Sequence, residues 1–332
     1  MEKSNKEKIE WIDIAKGIGI ILVVAGHFQP ESSPEYWMAF NRIIYTFHMP
    51  LFFVLSGYLY NHNSYSYIEL IKNKIQRLLY PFFTIAAIFL LIKILAGRFF
   101  HLDFPVNINS IAMLVLDPIK SYIPLLWFIL ALFMIFLLYP LARRLMNNVF
   151  LLIFLIIIIS IFGSDFPLLG TAIATMPFFV VGAILKENQR AASLLIGTRW
   201  YYIIASFIFF ALAYAFLDTS ARITGRLADV AMGVAGSVLV INASQMILVL
   251  SNKRIKQSLL MVGFCSMTIY LFHTVFESAV RIGFSQLFKS IQVPFEIVAI
   301  LAITSGVFFP LILEMKFFRN HWLTRKFLLG LN

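Results

Sequence analysis

The sequence predicts an all-α, polytopic integral membrane protein with about ten transmembrane helices and both termini cytoplasmic. Three observations lead there. The 332-residue chain is 61% hydrophobic and 13% charged, with 35 Phe, whereas soluble domains average roughly 45–50% apolar and about 25% charged residues. Apolar runs of membrane-spanning length recur from Ile12 to Leu313, with no polar block between them long enough to fold alone. Finally, Lys and Arg alternate between crowded and sparse loops. A disordered chain is excluded as well, since it requires low hydrophobicity and high net charge.

The expected spans are 12–28, 40–60, 80–97, 122–139, 149–163, 172–186, 200–217, 229–250, 259–281 and 293–315. Those at 149–163 and 172–186 are short against the about 20 residues that a bilayer core of about 30 Å requires, which leaves one re-entrant pair as an alternative. One set of loops holds eighteen cations: Lys3, Lys6, Lys8, Lys72, Lys74, Arg77, Arg143, Arg144, Lys186, Arg190, Arg199, Lys253, Arg254, Lys256, Lys316, Arg319, Arg325 and Lys326. The opposite loops and span edges hold seven: Arg42, Arg98, Lys120, Arg222, Arg226, Arg281 and Lys289. Cytoplasmic loops collect Lys and Arg, so this asymmetry puts both termini in the cytoplasm. The formal charge of +11 then has a topogenic cause and gives no reason to expect a nucleic-acid partner.

The chain reads as one membrane domain, 1–332, with no appended soluble domain. Cys265, the single cysteine, lies in an apolar segment. It makes neither a disulfide framework nor a Cys-rich zinc site, and is expected as a small core residue. Residues 1–10 mix both charges and no small-residue cleavage site follows, so no removable signal peptide is expected. The sequence contains no internal repeat, Gly-rich nucleotide loop or heptad seam.

An ionisable residue inside a span is costly and marks a functional-site hypothesis. In the first span, a helix advancing about 100° per residue brings Lys16 and His27 within roughly 20° of one another, with Asp13 about 60° from Lys16. At 1.5 Å per residue, Lys16 and His27 are separated by about 16 Å, from the cytoplasmic edge to the outer half of the bilayer. Lys16 snorkelling to the interface with Asp13 as its partner is an equal alternative for those two residues; for His27, a place at the far headgroup level ranks below function. In the second span, Asn41, Tyr45, His48, Phe52 and Ser56 share a face, and Pro50 is expected to bend the helix. Ser56-Gly57 reads as close helix packing. In the ninth span, Ser266, Tyr270, His273 and Glu277 lie within about 40° of one face. An interhelical hydrogen-bond ladder suits Ser266 and Tyr270, while His273 and Glu277 suit proton transfer or substrate orientation. His27, His48 and His273 sit on separate spans without a local ligand motif, so acid/base use ranks above a metal site. Lys93 and Arg77 read as interface anchors that a phosphate-bearing donor would also need.

On these residues the chain resembles the membrane-bound acyltransferase family 3 and, within it, the fucose 4-O-acetylase-like branch. The resemblance rests on Asp13-x-x-Lys16-Gly17 followed by His27, on Phe47-His48-Met49-Pro50-Leu51-Phe52-Phe53 leading to Ser56-Gly57-Tyr58, and on Arg77 before Pro81. Trp127-Phe128 and Ser266-x-x-Ile269-Tyr270-Leu271-x-His273 extend it over nearly the whole chain. It implies a ten-helix enzyme of the bacterial inner membrane that moves an acyl group, usually acetyl from acetyl-CoA, to a hydroxyl of a cell-envelope glycan, glycolipid or precursor. Acetyl-CoA is then a donor substrate, and no permanently bound cofactor is implied. The family's basic residue, ten intervening residues and histidine match Lys16 and His27. Lys stands where many members have Arg, and it supplies a point charge without the planar fork. Many relatives carry an extra periplasmic domain with a Ser/Asp/His hydrolase site; none is expected here.

Taken with the resemblance, the residues suggest a route. The nucleotide end of acetyl-CoA meets Lys16 and Arg77, with Lys72 or Lys74 as further cations and Asp13 orienting Lys16. The pantetheine arm follows the polar stripe to His27, which takes the acceptor proton or forms a transient acyl-imidazole. His48 holds the tautomer of His27 or polarises the thioester carbonyl. His273, Glu277, Tyr270 and Arg42 are the candidates for acceptor contact or proton transfer. Two alternatives stay open: a glycolipid carrier or flippase, and a non-catalytic membrane partner of a glycan assembly complex. The charge asymmetry makes a direct prediction. Green fluorescent protein fused to the C-terminus should fluoresce, and alkaline phosphatase fused there should be inactive; the reverse pair of signals would invert the orientation.

Overall fold

A computed structural model of the chain describes residues 10–31, 33–61, 66–96, 106–146, 148–163, 166–216, 222–287 and 293–331. The expectations attached to Lys3, Lys6, Lys8, Arg98 and Lys289 lie outside the described residues. Among the described residues the fold is all-helical, with no strand. In chain order the helices are α1 (Glu10–His27), α2 (Glu35–Tyr45), α3 (His48–Leu59), α4 (Tyr67–Lys74), α5 (Tyr80–Ala96), α6 (Ile108–Leu116), α7 (Trp127–Leu145) and α8 (Val149–Phe162). They continue as α9 (Gly170–Glu187), α10 (Gln189–Leu195), α11 (Trp200–Phe216), α12 (Arg222–Leu250), α13 (Lys253–Phe264), α14 (Ser266–Leu287), α15 (Phe295–Leu313) and α16 (Trp322–Phe327). A π-helical turn, Ile75–Leu79, joins α4 to α5.

Each of the ten expected segments coincides with a helix, but six helical runs among the described residues are long and apolar enough to cross a membrane: Glu35–Leu59, Tyr67–Leu95, Pro124–Leu145, Gly170–Glu187, Ile223–Leu250 and Phe295–Phe318. A seventh is added if α13 and α14 form one bent span. The remaining expected segments are α1, α8 and α11. Glu10, Asp13 and Lys16 interrupt the apolar character of α1. At 14 and 17 residues, α8 and α11 fall short of the about 20 residues that span a bilayer core. α9, expected to be short, is long enough by itself.

Two further expectations change. The second segment begins at Glu35, and its interruption lies at Thr46–Phe47, upstream of Pro50. Pro50 has no N–H to give the Thr46 carbonyl and its ring crowds that group. Thr46 and Phe47 instead make tighter bonds, from their N–H groups to the carbonyls of Ile43 (3.2 Å) and Ile44 (3.1 Å). The ninth segment, read as one helix over 259–281, breaks at Cys265, where α13 and α14 meet at 83°. Cys265 is fully buried at the bend and adopts φ −91°, ψ 10°, the bridge region where a helix stops. Because the break precedes Ser266, the residues Ser266, Tyr270, His273 and Glu277 still belong to one helix.

The chain forms two compact units. The first draws on Met1–Leu55, Asn188–Leu217 and Ala231–Leu311, the second on Ser56–Glu187, Asp218–Val230 and Ile312–Asn332. In the first, α1 and α13 cross with their backbones almost touching. A Cβ on Gly17 would strike the Leu259 carbonyl oxygen, and one on Gly263 would strike that of Asp13. Small residues permit this approach where lipid offers no hydrophobic gain for helix association. Lys256 Nζ and Glu10 Oε2, 2.6 Å apart, tie the same two helices near their starts.

In the second unit, a Cβ on Gly57 would strike the Phe179 carbonyl of α9, which fits the packing reading of Ser56-Gly57. Tyr60, Phe136, Tyr139 and Phe179 gather around this contact, with ring centroids 5.2–6.4 Å apart. Tyr122 donates its hydroxyl to the Ala86 carbonyl at 2.8 Å. Gly330, at φ +62°, lies against the backbone of Gln76 and Arg77.

The α1/α13 crossing is testable. Gly263→Ala must move backbone, a type of overpacking that costs about 1–3 kcal/mol, so the thermal midpoint of the purified protein should fall by several degrees. Gly283→Ala, where a Cβ meets nothing within 4 Å, should leave it unchanged.

Candidate active site

The first unit carries a polar group at each end of α1. Near its start, Lys16 Nζ lies 3.2 Å from Asp13 Oδ1, with the two side chains 27% and 13% exposed. An ion pair this close to solvent is worth only about 0–1 kcal/mol, so its main effect is to hold the ammonium group in place. At the other end, His27 is exposed. Its ring centroid is 5.1 Å from that of His273 on α14 and 6.2 Å from that of Tyr45 on α2. The Tyr45 ring in turn stands edge-on to His48, 4.8 Å away.

His48, His273 and Glu277 are buried behind this accessible edge. Both buried histidines are tethered to backbone. His48 Nδ1 is 2.9 Å from the Ile44 carbonyl, which also accepts from the Phe47 N–H at 3.1 Å. His273 Nδ1 is 2.9 Å from the Tyr270 carbonyl and 3.1 Å from that of Ile269. A carbonyl only accepts, so Nδ1 carries the hydrogen in both rings, and when each ring is neutral its Nε2 offers a lone pair. Among the described residues, His273 Nε2 and Glu277 Oε1 are buried without a hydrogen-bond partner. Gly306 of α15 makes room for the carboxyl: a Cβ there would come within 3.0 Å of both Glu277 Cγ and Val24 Cγ1.

The structure thus brings His27 against His273 and Tyr45, and Tyr45 against His48, with Glu277 one turn beyond His273 on α14. Sequence reasoning put Tyr45 on the His48 face but gave it no role; the three-residue spacing was the available signal. Tyr270 is buried in the same helix, and its backbone carbonyl receives the His273 N–H. Arg42 is exposed on the wall of a cavity of about 560 Å³. Gln29, Pro30, Glu31, Ser33, Met38, Asn41 and Tyr45 complete its lining. Most of these are loop residues that no helical period could have singled out.

Asp13 and Lys16 pair at the far end of α1. Arg77 belongs to the second unit, exposed in the π-helical turn. Lys72 is exposed nearby in sequence, and Lys74 lies over the Phe136 ring at 3.6 Å. Phe52 packs against Gly19 of α1, and Ser266 opens α14, half-buried. Among the described residues, no three His, Cys, Asp or Glu side chains converge as a metal-ligand group.

The acyltransferase domain of acyltransferase family 3 matches residues 9–315. The chain belongs to this acyltransferase family. Proteins of this family are multi-pass membrane proteins, which the apolar helices of this chain fit. It is also similar to the nodulation protein NolL of Sinorhizobium fredii (strain NBRC 101917 / NGR234), with 28% identity over 205 residues, 57% of this chain and 54% of the relative. The chain thus spans about half the length of that curated relative. No solved structure matches the chain.

The unpaired Glu277 oxygen makes a stability prediction. A buried carboxyl without a partner weakens a fold, and an apolar residue of similar size removes that cost. Glu277→Met should leave the thermal midpoint unchanged or raised; a clear fall would mean that the carboxyl is held by a bond.

Proposed function

We propose that this acyltransferase is an O-acetyltransferase of the fucose 4-O-acetylase-like branch. It sits in the bacterial inner membrane as one ten-helix domain with both termini cytoplasmic. It moves acetyl from cytosolic acetyl-CoA to a sugar hydroxyl of a cell-envelope polysaccharide, glycolipid or precursor. The observation that carries the reading is an accessible imidazole, His27, packed against the buried histidine His273 at the end of the helix that starts with Asp13 and Lys16.

The chemistry needs two ends. The phosphates of acetyl-CoA meet cations at the cytoplasmic edge, among them Lys16 held by Asp13. The thioester reaches His27 along α1. The acceptor oxygen attacks the thioester carbonyl while His27 takes its proton. The C–S bond then breaks, and the proton passes to the departing CoA sulfur. A base must present a lone pair to the acceptor, so its other ring nitrogen needs a partner. The Nε2 lone pair of His273 provides one, and that of His48 provides an alternative. Neutral His48 has spent its N–H on the Ile44 carbonyl, which favours the tautomer-holding role over polarising the thioester. Glu277, one turn beyond His273, Tyr270 and Arg42 complete the acceptor and proton-transfer side.

The test is complementation of a deletion strain at matched membrane abundance, with the O-acetyl content of surface glycans read by NMR. Wild type should restore the acetyl signals and His27→Gln should lose about 100-fold or more of the transfer, as expected for removal of a general base. Restoration by both proteins would make His27 structural. No O-acetyl difference with either would overturn the glycan reading and favour a carrier.

A further inference from the structure

Among the described residues that line the cavity beside Tyr45, Asn41 is the buried polar side chain without a hydrogen bond. Asn41 is 4% exposed, and neither its Oδ1 nor its Nδ2 has a hydrogen-bond partner among the described residues. Two other neutral polar side chains on the wall, Gln29 and Ser33, are engaged with their own loop. Gln29 Nε2 donates to the Gly26 carbonyl at 2.9 Å, and the Ser33 hydroxyl donates to the Pro30 carbonyl at 2.6 Å. A buried carboxamide without partners weakens a fold, because its desolvation is not offset. Leu or Ile at position 41 would suit the apolar face of α2 better, so the amide calls for a reason outside folding.

We propose that Asn41 is the specificity-determining contact of the acceptor subsite, and that the cavity takes a saccharide ring. A carboxamide offers a donor and an acceptor side by side. Adjacent ring hydroxyls offer the complementary pair, and an apolar acceptor could satisfy neither end. The volume of about 560 Å³ falls within the roughly 300–1,000 Å³ typical of small-molecule sites. Position adds the second argument. Asn41 lies one helical turn before Tyr45, which lines the cavity and whose ring packs against both His27 and His48. A ring held by Asn41 is therefore one residue away from the proposed base, and exposed Arg42 supplies further donors at the wall. Asn41 binds and orients; it takes no proton. This inference rests on the glycan O-acetyltransferase reading.

The experiment uses the full-length purified protein, radiolabelled acetyl-CoA, and the host's own surface glycan stripped of O-acetyl groups by mild base. Asn41→Leu, with Asn41→Ala as a second variant, should raise the KM for glycan about tenfold or more, the effect of losing one or two hydrogen bonds to substrate. The KM for acetyl-CoA should stay within about twofold. The thermal midpoint of Asn41→Leu should be equal to or above that of wild type, because the unpaired amide is gone. An unchanged KM for glycan overturns the proposal. So does a loss that falls equally on both substrates together with a lowered midpoint in both variants, since Asn41 would then be structural. Absence of transfer to the stripped glycan by wild type itself overturns the glycan reading, and this inference with it.

Discussion

The backbone crossing of α1 and α13 at Gly17 and Gly263 is the constraint on which the first unit depends. In lipid, apolar side chains gain nothing by leaving one apolar neighbour for another, so helices associate through close packing and polar contacts. Two glycines facing backbone let α1 and α13 approach until side chains would no longer fit. With α13 held there, the bend at Cys265 sets the direction of α14. α14 then meets α1 a second time, at its far end, where His27 and His273 face one another. A contact at the Asp13 end thus sets the geometry at the His27 end.

The two buried histidines are fixed in the same way, each by a bond from the ring to backbone one turn earlier in the chain. A buried imidazole needs a partner for its N–H, and a backbone carbonyl can accept a second bond through its other lone pair. Pro50 disrupts the pairing of α2 and α3 just before His48, and His48 Nδ1 shares the Ile44 carbonyl with the Phe47 N–H. His273 Nδ1 shares the carbonyls of Ile269 and Tyr270 within α14. In both rings the backbone dictates the tautomer and leaves Nε2 as the available atom. Irregular backbone at membrane depth persists where it is buried in protein or lines a cavity.

The polar groups of the first unit differ in how fully they are satisfied. Asp13 with Lys16 and Glu10 with Lys256 are paired. His273 Nε2, Glu277 Oε1 and both ends of the Asn41 amide are not, among the described residues. Paired charges hold helix ends in place at little net cost. Unpaired buried groups weaken the fold, and in proteins such costs concentrate where a substrate is to be met. Stability and site chemistry are thus drawn from opposite ends of α1.

Much of this was legible in the sequence, because bilayer physics acts on composition and periodicity. Few charges and long apolar runs require helices, since backbone groups in lipid must be satisfied within the segment. Every expected segment therefore falls on a helix. The helical period also aligned Lys16 with His27 and gathered Tyr270, His273 and Glu277 on one face, because angular spacing along a helix needs no tertiary knowledge. What lay beyond the sequence involves separate elements. The 83° turn at Cys265 arises where a small-residue crossing and a buried cap compete with helix continuation, and no single residue announces it. That His273 faces His27, that Tyr45 stands between His27 and His48, and that Asn41 lines a cavity are distances between chain segments. Only tertiary packing decides those, because periodicity gives the face of a helix but not its neighbour.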